Sequence, residues 1–333
     1  MNIDSIKIRL PIECLVNYKE CAFDTIKTDS MQFPETKIQY KLNTKKPLGV
    51  KDILLNQTQG YATLEMSAKV LKENYFSLLN LNTIENAFEN VNASGLIQLN
   101  IPSSVENAEV LRCDVTTDLH IQDIPKHLRS LSAYRINRKY DCKVFPSSVV
   151  FDRNVTTKGL KEYQTFYCKA TDMRKKDREL LKYVSIKDAK NVLRCESRYA
   201  NFQQIRNAIE GTNLSLLSVL ESEANPNLKI FNRITQEIDE TDYYNIQNFQ
   251  TLIDMKASFK HKDIAREISL ASILKMCNYD IGLVKVYLST NSTANNSRLL
   301  KQFKLRLKAK NEFDSGKTIE TDIQEIRSLL NAA

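Results

Sequence analysis

Tryptophan is absent from this chain, histidine occurs three times, and glycine occurs only seven times in 333 residues. Glycine at about 2% falls far below the usual ~7%. No two glycines stand close enough for a G-x-G-x-x-G turn, which excludes a dinucleotide-type glycine loop. Gly316-Lys317-Thr318 has the tail of a phosphate loop, but Asn311 stands where the first glycine belongs and no strand precedes it, so it reads as a polar turn. His120, His127 and His261 form neither His-x-His nor H-E-x-x-H, which leaves no zinc-site signature, and a serine-hydrolase elbow is missing. His127 and His261 read as surface residues. The seven cysteines are an odd number without a C-x-x-C pair, and no apolar N-terminal segment precedes a small-residue cleavage site. Free thiols in a reducing cytoplasm are the expectation. No apolar run approaches the roughly 18 residues of a membrane span.

What the chain does have is a 42% apolar content, enough for a sizeable core, and 48 Lys plus Arg against 40 Asp plus Glu. The resulting net charge of +8 suits an anionic partner, nucleic acid before a membrane surface. Ile3 to Leu10 alternates as a half-buried strand that Pro11 ends, and one or two more strands are expected before Gly60. Apolar residues then recur at helical spacing from Val70 to Val91, broken near Asn80 to Asn82, which predicts two helices or one interrupted helix. Helical patterning returns from about Asn201. Asn225-Pro226 and the acidic stretch Glu237 to Asp242 read as a connector, and helices follow from about Leu252. One of these, after Asn296-Ser297, carries Arg298, Lys301, Lys304, Arg306, Lys308 and Lys310 before any acid. It suits phosphate contact, and equally the solvated outer face of an amphipathic helix.

The middle of the chain repeats itself. Val110-Leu111-Arg112-Cys113-Asp114 returns as Val192-Leu193-Arg194-Cys195-Glu196. In an extended strand Arg112, Asp114, Thr116, Asp118 and His120 share one face, and Leu111, Cys113, Val115 and Leu119 share the other. The second copy sorts alike, with Arg194, Glu196 and Arg198 together. Tyr163 to Ala170 makes a third such segment, placing Tyr163, Thr165, Tyr167 and Lys169 on its polar side. Were the three neighbours in one antiparallel sheet, carboxylates, arginines, a lysine and a tyrosine would meet on one surface.

A tyrosine beside paired carboxylates suits phosphodiester cleavage. Acids hold a hard divalent cation against the scissile phosphate, and the phenolate attacks to leave a phosphotyrosyl link. Free tyrosine titrates near 10, so Lys169 or the cation would have to favour the phenolate. The same residues also suit cross-strand ion pairs on a solvated face, Arg112 with Glu196 and Arg194 with Asp114, with Tyr167 an ordinary strand aromatic. His120 is a possible further member of that face.

The order of these segments resembles the phage and plasmid rolling-circle replication initiators, in particular the gene II/gene X type of phage replication protein. The resemblance is carried by the opening strand, Leu64-Glu65-Met66-Ser67-Ala68-Lys69-Val70-Leu71, Ser94 to Leu99, Leu111 to Asp118, Thr165-Phe166-Tyr167-Cys168-Lys169 and Leu193 to Arg198. It covers most of residues 1–210. The resemblance implies an endonuclease that nicks one strand at an origin, stays joined to the 5′ phosphate and leaves a 3′ hydroxyl. Its Tyr-x-Lys strand maps onto Tyr167 and Lys169, with Tyr163 as a second candidate nucleophile. Its metal-holding acids map onto Asp114 and Glu196, with Asp118 beside them, for Mg²⁺ or Mn²⁺. The paired histidines of the wider nuclease superfamily are missing.

The expected fold is α+β, an antiparallel sheet with helices on one face and the Asp114, Tyr167 and Glu196 face open to DNA, plus a C-terminal all-helical region. Residues 1–215 would be the nicking and closing domain, 216–250 a connector and 251–333 a helical DNA-binding or accessory domain. Arg112, Arg194, Arg198, Lys301, Lys304 and Lys308 are the candidate DNA contacts. The partners expected are origin DNA, single-stranded or locally melted, and a host polymerase and helicase, in the cytoplasm of a bacterial host without membrane attachment. A nonenzymatic DNA-binding protein of plasmid copy control or partition is the alternative.

Overall fold

The computed structural model describes residues 1–30, 33–134, 137, 139–155, 161–235, 273 and 319–333. The architecture is α+β, built on a ten-stranded antiparallel sheet. Its strands are β1 (Ile3–Pro11), β3 (Phe23–Ser30), β4 (Phe33–Leu42), β5 (Val50–Asn56), β6 (Tyr61–Ser67), β8 (Glu109–His120), β9 (Tyr140–Phe145), β10 (Ser148–Arg153), β11 (Tyr163–Cys168) and β12 (Val192–Tyr199), in the order β3-β4-β5-β6-β1-β8-β12-β11-β10-β9. A separate two-stranded ribbon joins β2 (Leu15–Tyr18) to β7 (Ile97–Leu99). The stretch before Gly60 thus holds more strands than its polar composition suggests, because β3 and β4 pair as a ladder rich in Thr and Lys.

The alternation read from the sequence sorts the central strands correctly. Phe166, Cys195, Val115 and Leu119 are buried on the side covered by α3 (Ile124–Ala133), α5 (Phe202–Ile209), α7 (Pro226–Thr235) and the C-terminal α8 (Ile319–Ala332). Phe231 of α7 meets Phe166 edge to face at 5.6 Å. Asn227 of the same helix donates to Thr117 Oγ1 at 2.9 Å, tying it to β8. Residues 216–235, read as part of a connector, instead form α6 (Leu216–Glu221) and α7, with Leu216, Val219, Ile230, Phe231 and Ile234 in the core. Further α-helices among the described residues are α1 (Ile84–Ala93), α2 (Ile101–Asn107) and α4 (Lys169–Lys176).

The helix α8 packs on α3 and α7, burying Ile323, Ile326 and Leu330. Truncating a fully buried Ile leaves a cavity costing about 2–5 kcal/mol. Ile326→Ala should therefore lower the unfolding free energy by that amount, seen as a lower urea midpoint with an unchanged slope; an unmoved midpoint would mean that α8 is not part of the cooperative core. The basic helix with Lys301, Lys304 and Lys308 and the apolar pattern after Leu252 lie outside the described residues.

Residues 68–77 do not form the expected α-helix. They run as a 3-10 segment interrupted at Lys72 (φ 54°), and Leu78 also takes a positive φ of 58°. Leu79 then exchanges backbone hydrogen bonds with Ile3 at 2.9 Å each way. Gly49, at φ +83°, lets this segment approach, since a Cβ there would lie 2.2 Å from the Val70 nitrogen. No described helix is long and apolar enough to cross a membrane.

Candidate functional site

The three polar strand faces meet as neighbours, β8 next to β12 next to β11. Tyr167 stands opposite Arg194, which stands opposite Asp118; Thr165 stands opposite Glu196, and Arg198 opposite Asp114. Directly opposed residues project from the same side of a sheet, so Tyr163, Tyr167, Arg194, Glu196, Arg198, Asp114 and Asp118 share one face. Lys169 is not on a strand. It is the first residue of α4, and its amine still reaches this face, 5.6 Å from the Tyr167 ring centroid and 5.0 Å from that of Tyr75.

The face is not open at its centre, because residues 68–77 and α4 cover it. Arg194, expected to contact DNA, is 0% exposed. Its guanidinium forks onto Asp118 at 2.6 and 2.8 Å and also donates to Asp4 Oδ1 at 2.8 Å and to the Tyr75 hydroxyl at 2.6 Å. With its donors so spent it offers nothing to a phosphate, and it acts instead as the hub of a buried polar network. The cross-strand ion pairs also differ from those the sequence suggests. Asp114 pairs with Arg198 at 3.2 Å and Arg112 at 3.7 Å, and Arg112 pairs with Glu65 at 3.5 Å. Arg198 and Arg112 keep partial exposure at the rim, and Arg198 lies 5.6 Å from the centroid of the Tyr163 ring. His120 ends β8, exposed.

Tyr167 donates its hydroxyl hydrogen bond to Glu196 Oε1. Burial and the nearby Asp4 push the Glu196 carboxyl up to about 7, against the pull of Arg194, the Tyr167 hydrogen bond and Lys169. Burial and the facing Glu196 raise the Tyr167 phenol. Burial, then Arg194, lowers the Lys169 amine, while Asp4 is held below the ordinary carboxylate range against its burial, first by Arg194 and then by Lys169. The pair is therefore a protonated phenol next to a carboxyl that changes charge near neutrality. Lys169, over the ring rather than beside the hydroxyl, does not favour the phenolate directly.

A pH signature follows. Because the folded state raises Glu196 from 4.5 to about 7, it binds the proton more tightly than the unfolded chain, so this contribution to stability falls as pH rises through that window. Glu196→Gln cannot ionise. Urea midpoints measured from pH 4.5 to 8 should fall in the wild type and run flatter in the variant; parallel curves would refute the raised carboxyl.

A hard divalent cation needs several oxygens converging on one point. Asp118 gives both oxygens to Arg194, Asp114 is held by two arginines and Glu196 receives Tyr167, so these acids neutralise neighbours and do not fit a cation as they stand. Among the described residues, the group with metal-ligand spacing is His127 of α3 with Asp322 and Glu325 of α8, whose ligand atoms lie within 4.8 Å of one another. His127, read as a surface residue, is buried. Its Nε2 lies 3.1 Å from Glu325 and its Nδ1 2.9 Å from the Asp123 carbonyl. Burial opposes the charge on Asp322, yet hydrogen bonds from Lys126 and Ser130 hold its carboxyl below the ordinary range. The six described cysteines are all free thiols.

Asp4, Tyr75 and Lys69, the last paired with Asp177, were not marked by the sequence patterns. One signal for Asp4 exists. Ile3-Asp4-Ser5-Ile6 interrupts the alternation, and the structure has a register shift between Ile3 and Ser5, the bulge that lets Asp4 reach Arg194. Comparison of the chain with protein-family models, curated proteins and solved structures finds no match.

Proposed function

We propose that this chain is a DNA strand-transferring endonuclease with a tyrosine nucleophile, acting as a rolling-circle replication initiator like the family it resembles. One observation carries the reading: the Tyr167 hydroxyl is hydrogen-bonded to a carboxyl that titrates near neutrality, on a sheet face rimmed by arginines. In the cleavage step the Tyr167 oxygen bonds to phosphorus, its proton passes to Glu196, and the bond from phosphorus to the 3′ oxygen breaks. That oxygen takes a proton from water and leaves as a 3′ hydroxyl. A base with a pKa near the working pH is the favourable choice for such a transfer. Arg112 and Arg198 at the rim, with Lys301, Lys304 and Lys308 of the C-terminal region, hold the phosphates of single-stranded or locally melted origin DNA. Tyr163, four residues earlier in β11 and on the same face, is the alternate nucleophile. The fold reading is that of a replication nuclease, and the setting is a bacterial host cytoplasm with its polymerase and helicase.

The test is incubation with single-stranded DNA of the parent replicon and Mg²⁺ or Mn²⁺, followed by a denaturing gel. A protein-linked fragment is expected; its absence with every strand of the replicon refutes the enzyme. The competing reading, a nonenzymatic DNA-binding protein, is favoured by one feature: the acids of the face are already neutralised by arginines, as in a structural network. It predicts salt-sensitive DNA binding without an adduct.

A further inference from the structure

The register extends the row through Tyr167 to the edge of the sheet. Phe145 stands opposite Ser148, Ser148 opposite Tyr167, Tyr167 opposite Arg194 and Arg194 opposite Asp118. All five side chains therefore project from the face that carries Tyr167. Phe145 closes the β9–β10 hairpin just before the turn at Pro146-Ser147 and is 52% exposed. A lone exposed apolar side chain needs no explanation in itself. This one is set apart by its place, two strand spacings or about 10 Å from Tyr167 along the hydrogen-bonding direction. Its backbone is fixed by a tight hairpin, since Cys168 donates to the Ser147 carbonyl at 3.1 Å and ties the turn to the start of α4.

The neighbouring row begins with Lys143, opposite Val150, on the same face. The Lys143 side chain is more than half exposed and its amine lies 3.3 Å from Asp152, which also faces Lys161 at 3.7 Å. Asp152, with Asp141 directly opposite it on this face, balances the two lysines beside Tyr163, and the exposed ring stands apart from them in the row of Tyr167. A flat, exposed apolar ring matches the chemistry of an unpaired nucleotide, whose base stacks on it. A duplex, with its bases already stacked, offers no such face. From this geometry we infer that Phe145 forms a base-stacking subsite for a nucleotide of single-stranded DNA, a few nucleotides from the phosphate at Tyr167. The inference rests on the proposed strand-cleaving function and deepens it: the ring fixes the path of the strand across the sheet.

The absence of tryptophan from the chain makes the test direct. Phe145→Trp gives a protein with one indole, placed at the proposed subsite. A mixed-sequence single-stranded oligodeoxynucleotide should quench its fluorescence to saturation, whereas the blunt duplex of the same sequence should not. Phe145→Ala should weaken single-strand affinity about 5- to 150-fold while leaving the slope of log affinity against log salt unchanged, because no phosphate contact is lost. Circular dichroism and thermal midpoints equal to the wild type establish that both variants fold. Unchanged affinity in Phe145→Ala, fluorescence in Phe145→Trp that stays constant at saturating strand, or no single-strand binding by the wild type would each overturn the subsite. Binding and adduct formation are read separately. Intact stacking without an adduct refutes only the tyrosine mechanism, and an adduct with unaltered binding in Phe145→Ala refutes only the subsite.

Discussion

Tyr167→Phe should bind single-stranded DNA as the wild type does and form no covalent adduct. The ring, its packing beneath Lys169 and the rim arginines all survive the substitution. What disappears is the one atom of Tyr167 able to bond to phosphorus, and with it the hydrogen bond to Glu196. Loss of a nucleophile removes a whole pathway, so the expected drop in cleavage is to background, with substrate affinity as the control. The measurement is the denaturing-gel assay beside a filter-binding titration on the same preparation. An adduct that persists in Tyr167→Phe transfers the role to Tyr163, and an adduct in the double Phe variant rules out these tyrosines altogether. Glu196→Gln should slow the first step without abolishing binding, since it removes only the proton acceptor.

Arg194→Leu should strongly destabilise the fold. Its guanidinium is fully enclosed and satisfies Asp118, Asp4 and the Tyr75 hydroxyl at once. Removing one side of a buried ionic network leaves carboxylates without a partner, at a cost of about 3–5 kcal/mol. The sign of the pH dependence identifies the cause. In the wild type Asp4 is held below its ordinary value of 3.8, chiefly by Arg194 acting against burial, so its contribution is present above 3.8 and lost as pH falls through the lowered value. Without Arg194, burial dominates, the Asp4 carboxyl rises, and the variant should regain part of its stability as pH is lowered towards that range. A urea midpoint at pH 7 matching that of the wild type would remove Arg194 from the centre of the fold. Arg194→Lys should recover little, because one ammonium cannot reproduce the fork onto Asp118.

The sorting of the central strands was legible because alternation is a strong signal where one side of a sheet meets helices. Cys113 and Cys195 go to the core, while Asp114 and Glu196 go to the other face, as their repeated motif implies. The choice of ion-pair partners was not legible, since it depends on register, and Arg194 sits opposite Asp118 rather than beside Asp114. Lys169 shows a similar limit: its strand-like spacing from Tyr167 gave the right neighbourhood, although the chain has already turned into a helix there. The cover over the site was hidden for a different reason. Val70, Leu71 and Tyr75 have helical spacing, but the segment is broken at Lys72, and the buried charges it encloses are tertiary partners that no local pattern records. His127 was misplaced because its carboxylate partners come from α8, nearly two hundred residues away.

The docking of α8 onto α3 and α7 also fixes an order of events. Roughly a hundred residues separate the end of α7 from the end of α8, which at about 5–20 residues per second is some 5–20 s of translation. During that interval the ribosome-bound chain holds the ten described strands and α1 to α7 without the Ile323, Ile326 and Leu330 side chains that complete their core. An early stop codon would leave it so permanently. The timing with which the core around α3 and α7 closes is thus set by the synthesis of the fourteen-residue α8.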